Sequence, residues 1–108
     1  MKVITLYNRV TTDELLSHLQ QKLNPLFKEQ RQVDNTLQIF KADETVAITM
    51  PELYEGPLFE IAVNGTELWI TRNEHYVDDV NSLAIESILN DLFEDLSAGQ
   101  GTDLVLEG

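Results

Sequence analysis

The sequence predicts an α+β fold. Two helices cover one face of a mostly antiparallel sheet of four to five strands, a two-layer sandwich in the order β-α-β-β-β-β-α. Three observations point there. Apolar residues recur at helical spacing in two stretches, one from Leu15 to Phe27 and one from Val80 to Leu96. The segments TLQIFK, TVAITM, LFEIAV and TELWITR between them alternate with period two. An Asn64-Gly65 pair, a hairpin signal, separates the last two. Alternation of this kind buries one sheet face and leaves the other open, so both helices are expected on the same side.

The elements follow in order. KVITLY at residues 2–7 reads as a short strand. Thr11 and Thr12 then precede Asp13 and Glu14, a hydroxyl cap followed by acids in the first helical turn. Leu15, Leu16, Leu19, Leu23, Leu26 and Phe27 fall within one arc of about 120° at ~100° per residue. Pro25 interrupts this helix, and Asn24 is placed to cap a restart.

Residues 36–41 and 45–50 read as a hairpin about Asp43-Glu44. Pairing Ala42 with Thr45 puts Ile39 opposite Ile48 on one face. PELYEGP at 51–57 is a loop bounded by prolines. Asn64-Gly65 predicts a type I′ turn with Val63 opposite Thr66, Ile61 opposite Leu68 and Phe59 opposite Ile70. The core face is then Phe59, Ile61, Val63, Leu68 and Ile70, and the other carries Glu60, Ala62, Glu67, Trp69 and Thr71. A second helix starts at Asn73, Asp78 or Asp79 and runs to about Leu96, with Gly99 as its stop. Residues 1–98 form one domain; residues 99–108, with the β-prone Leu104-Val105-Leu106, form a flexible or edge-pairing tail.

The chain has 108 residues, no Cys, 19 acids and 7 bases, for a net charge of −12. Its 43% hydrophobic and 24% charged residues are a globular balance. No apolar run approaches the ~20 residues of a membrane span. The opening MKVITLYNR has no secretory h-region, so a cytoplasmic location is expected. Lacking Cys, the chain has no disulfide, thiolate nucleophile or cysteine-bound metal. The charge is lopsided. Lys2, Arg9, Lys22, Lys28, Arg31 and Lys41 outnumber Asp13, Glu14, Glu29 and Asp34 in residues 1–41, net +2. Residues 42–108 hold fifteen acids against Arg72 alone, net −14. Such a field disfavours nucleic acid and anionic membranes and favours a basic protein partner.

Motifs for catalysis are missing. The sequence contains no G-x-S-x-G, no G-x-x-x-x-G-K-[ST] and no G-x-G-x-x-G. His75 and Asp79 would share a helix face if that segment were α-helical, but two ligands fall short of the three or four a transition metal needs. No catalytic residue, metal or cofactor is expected.

Two surfaces carry the functional expectation. The first is the sheet face opposite the core, with Trp69, Glu60 as its expected cross-strand partner, Glu67 beside it and Phe40 further along. Either Tyr54 and its loop fold over Trp69, or a second chain covers it, with a homodimer the simplest use. The second is the outer side of the second helix, where Asp79, Glu86 and Glu94 lie in a row and Asp91 and Asp95 sit towards one border. The reading is a small acidic, non-catalytic protein-binding module of inhibitor, immunity, adaptor or chaperone type. The alternative is a nucleic-acid mimic that blocks a DNA- or RNA-binding protein, and a small enzyme or metal-binding domain centred on His75 ranks below both.

Overall fold

The computed structural model describes residues 2–6, 9–98 and 105–107. Its elements are β1 (Lys2–Thr5), α1 (Thr12–Arg31), β2 (Gln38–Ala42), β3 (Thr45–Thr49), β4 (Pro57–Asn64), β5 (Glu67–Arg72), α2 (Val80–Ala98) and β6 (Val105–Glu107), with a 3-10 turn at Glu74–Tyr76. The strands form one sheet in the order β2-β3-β4-β5-β1-β6, antiparallel at every pairing. β1 therefore enters beside β5, at the far side from β2, and β6 adds to its other edge. The fold is the expected α+β sandwich with both helices over one face. Of the tail, residues 99–104 and 108, including the Gly99 stop, lie outside the described residues.

α1 begins with a full capping box. The Thr11 hydroxyl accepts from the Glu14 N–H at 3.0 Å, and the Glu14 carboxylate accepts from the Thr11 N–H at 3.2 Å. Leu15, Leu19, Leu23 and Phe27 form its buried stripe, while Leu16 is half-buried and Leu26 turns outward. The helix runs unbroken through Pro25, contrary to the expected interruption. Proline removes one i→i−4 hydrogen bond there, and the buried stripe on both sides holds the axis. Asn24 caps no restart. Its amide instead clamps the strand approach, accepting from the Leu37 N–H at 2.7 Å and donating to the Leu37 carbonyl at 3.0 Å.

The first hairpin has the expected register, Ala42 to Thr45 and Ile39 to Ile48. The second differs. Asn64 pairs with Glu67, so the two-residue turn is Gly65-Thr66. Gly65 has φ +66° and Thr66 is not in the left-handed region, the pattern of a II′ turn, which takes glycine first. Moving the turn by one residue shifts every cross-strand pair by two. Ile61 thus faces Ile70, and Val63 faces Leu68. A two-residue shift keeps each side chain on its face, so Phe59, Ile61, Val63, Leu68 and Ile70 are buried together as expected. A bulge where β4 meets Thr49 lets the neighbours Leu58 and Phe59 both enter the core.

α2 begins later than the earliest expected start. Asn73 caps only the 3-10 turn, and Asp79 starts α2, its carboxylate accepting from the N–H groups of Asn81 at 2.9 Å and Ser82 at 3.3 Å. Ala84, Ile85, Ile88, Leu89, Leu92 and Phe93 complete the core, and Val80 is exposed. Among the described residues no helix is long and apolar enough to cross a membrane.

Candidate functional site

The pairings place two rows on the sheet face away from the helices. One runs Ala42, Thr45, Ala62, Trp69 and Val3; the next runs Phe40, Ala47, Glu60 and Thr71. Trp69 is 38% exposed and Phe40 47%. They stand on β5 and β2, three strand spacings or about 14 Å apart. Between them the side chains are small, Ala47, Ala62 and Thr45, with Glu60 in the second row. The face is a shallow trough between two aromatic posts. Asp43, Glu44 and Thr45 close one end of it beside Trp69.

The expected pairing of Trp69 with Glu60 does not occur. The two-residue shift puts Ala62 opposite Trp69 and Thr71 opposite Glu60, which leaves Glu60 a diagonal neighbour. Glu67 does meet the indole, accepting from Nε1 at 3.2 Å. Glu60 and Glu67 are the charged side chains of β1 to β5 on this face, and it carries no Lys or Arg among the described strand positions.

Tyr54 is elsewhere. Its loop folds towards the helices, and the hydroxyl donates to Asp79 Oδ2 at 2.6 Å while accepting from Asn81 Nδ2 at 3.0 Å. Arg31 at the end of α1 orients Asn81 through a 2.8 Å bond from Nε. The Tyr54 ring meets Tyr76 edge-on at 4.7 Å. Burial above all, and then its proton's bond to Asp79, raise the Tyr54 phenol above the ordinary 10.0. The 51–57 loop is therefore pinned to the start of α2 and does not cover Trp69.

The acidic row on α2 is also partly spent. Asp79 caps the helix and binds Tyr54. Glu86 pairs with Arg72, Oε2 to Nη1 at 3.0 Å, with Lys2 Nζ at 4.0 Å. Asp91 and Glu94 remain exposed. His75 sits in the 3-10 turn, so the α-helical pairing with Asp79 is not formed. His18 lies between the helices, its Nε2 at 3.2 Å from the Leu92 carbonyl.

One feature escaped the sequence reading: a cavity of about 320 Å³ under α2, on the helix side of the sheet. Its floor is Phe59, Ile70, Leu89 and Phe93, all buried; Lys2, Arg72, Glu74, Glu86 and Asn90 form its rim. The signal available in sequence was Arg72, the only base in residues 42–108. Position 72 shares the core-face parity of Leu68 and Ile70, where a lone cation is out of place.

No protein-family model, curated protein or solved structure matches this chain.

Proposed function

We propose that the protein is a small, non-catalytic protein-binding module that works in the cytoplasm and engages another protein through the open sheet face. The observation that carries this reading is the pair of exposed aromatics, Trp69 and Phe40, on the face that both helices leave bare. Aromatic side chains are the usual anchors of interface hot spots, and small residues between them give a partner room to approach. Across the sheet the strands that carry the posts are ~14 Å apart, which admits one α-helix of ~10–12 Å diameter lying along the trough. Glu60 and Glu67, with no opposing cation among the described strand positions of the face, favour a partner that presents Lys or Arg. A second copy of the chain would set these carboxylates against their own kind, so a basic helix of another protein fits better than a homodimer.

The nucleic-acid-mimic alternative has less support. Two of its row of acids, Asp79 and Glu86, are engaged within the chain.

The test is affinity capture from the native host's lysate with three baits: the wild type, a Trp69→Ala/Phe40→Ser variant, and Leu83→Ser. Leu83 is an equally exposed apolar residue, but on α2. The proposal expects a protein held by the wild type and by Leu83→Ser and released by the double variant, with affinity falling about 30-fold or more for loss of anchors. Partners held equally by all three baits would overturn it.

A further inference from the structure

The cavity beneath α2 lies across the sheet from Trp69 and is independent of the protein-binding reading. Lys2 and Arg72 reach its rim from β1 and β5. Lys2 pairs with Ile70, which makes Lys2 and Arg72 diagonal neighbours on the helix-side face. They share a single carboxylate oxygen, Glu86 Oε2. Arg72 holds it with Nη1 at 3.0 Å, while Lys2 Nζ at 4.0 Å is beyond hydrogen-bond range. Among the described residues, Arg72 Nε and Nη2 and the Lys2 ammonium have no hydrogen-bond acceptor. With Glu74, which also lines the cavity, the rim holds two cations and two carboxylates, a formal charge of zero, and the unspent donors are those of Lys2 and Arg72. Glu74 is exposed and the Lys2 and Arg72 side chains are 35% and 39% exposed, so water screens both signs alike and the preference for a carboxylate rests on where the donors stand above the apolar floor.

The rim is polar and the floor is not. Phe59, Ile70, Leu89 and Phe93 offer an apolar base. The volume of about 320 Å³ exceeds the ~150 Å³ that accommodates a benzene ring, leaving space for a short chain. We infer that this cavity binds a small monocarboxylate with an aryl or alkyl body. The apolar body rests on the Phe59–Phe93 floor, and the carboxylate accepts from Lys2 Nζ and the unspent N–H groups of Arg72. Arg72 with its planar fork is suited to a carboxylate.

The experiment is a 1H–15N NMR titration of the whole chain with three probes of one shape: 3-phenylpropionate, its neutral amide and 3-phenylpropylamine. The expected result is saturable binding of the acid with a roughly millimolar Kd for a ligand of this size. Its shifts centre on the amides of Ile70, Arg72, Leu89 and Phe93. The amide binds about tenfold or more weakly, because it lacks the charge-assisted bonds, and the amine does not saturate. Arg72→Gln lowers acid affinity about tenfold while sparing that of the amide, and Leu89→Trp, which fills the cavity, abolishes both. Should either variant fail to fold, the three probes on the wild type still decide. Equal affinity for acid and amide, preference for the amine, shifts centred on Trp69, or no saturation by ~20 mM, well past a millimolar Kd, would each overturn the inference.

Discussion

Replacing Tyr54 by Phe removes one oxygen and tests how the 51–57 loop is held. The hydroxyl makes two bonds, to the Asp79 carboxylate at 2.6 Å and from the Asn81 amide at 3.0 Å. Asp79 keeps its two backbone donors in the variant, so no charge is orphaned. Asn81 Nδ2 loses its acceptor in a half-buried place. A bond to a charged group contributes about 1.5–3 kcal/mol and a neutral one about 1 kcal/mol, so the loss should be ~2.5–4 kcal/mol. Urea unfolding followed by circular dichroism at neutral pH measures it. The pH dependence gives a second reading. The folded phenol is raised above 10.0, chiefly by burial and then by Asp79. Above pH 10 the unfolded chain therefore loses this proton first, and stability falls as pH rises. The contribution is complete below the unfolded value and is lost as pH climbs through the folded one. The gap between wild type and Tyr54→Phe should thus narrow at alkaline pH. A variant within 0.5 kcal/mol of wild type (roughly the scatter of surface substitutions), or a gap that widens above pH 10, would refute the clamp.

Two further outcomes bear on the frame of the fold. Asn24→Ala strips both bonds from the buried Leu37 backbone and should cost about 2–4 kcal/mol in the same assay, with Asn24→Asp, which keeps the acceptor, losing less. Ile61→Ala, fully buried between Val46 and Ile70 in adjacent strands, should cost ~2–5 kcal/mol as a core truncation; a near-neutral result would place Ile61 on the wrong face.

What was readable in the sequence was local and periodic. Thr11 and Glu14 form their capping box from four consecutive residues, with no help from the rest of the chain. The faces of β4 and β5 follow from parity, which survives a two-residue shift; the partner of Trp69 does not, because it depends on whether Gly65 stands first or second in its turn. Pro25 predicts a break, because local energetics disfavour proline inside a helix. Packing of Leu19, Leu23 and Phe27 outweighs that cost, and no short window of sequence shows packing. The same holds for β1 beside β5 and for the cavity rim, where Lys2 and Arg72 meet across seventy residues. Contacts of that span are set by topology.

Tyr54 links these points to the exposed face. It was one of two candidates to cover Trp69, and its hydroxyl has one place to be. The start of α2 offers a carboxylate and an amide already oriented by Arg31, so binding there satisfies a half-buried hydroxyl with two partners. Over Trp69 the same hydroxyl would find only Glu60 and Glu67 on an open sheet face, carboxylates for which water competes and with no oriented amide beside them. Hydrogen bonding therefore draws the loop to the helix side. The cost is that Trp69 and Phe40 stay open on a face where nothing else in β1 to β5 is large enough to shield them. The polar network that secures the start of α2 and the bareness of the opposite face are thus two results of one choice. A substitution that frees Tyr54 from Asp79 should leave the Trp69 face as open as before, since the loop gains no comparable partner there. Trp fluorescence in Asp79→Ala tests this directly: unchanged emission at Trp69 is expected, and a blue shift in the monomer would show the loop crossing over to cover it.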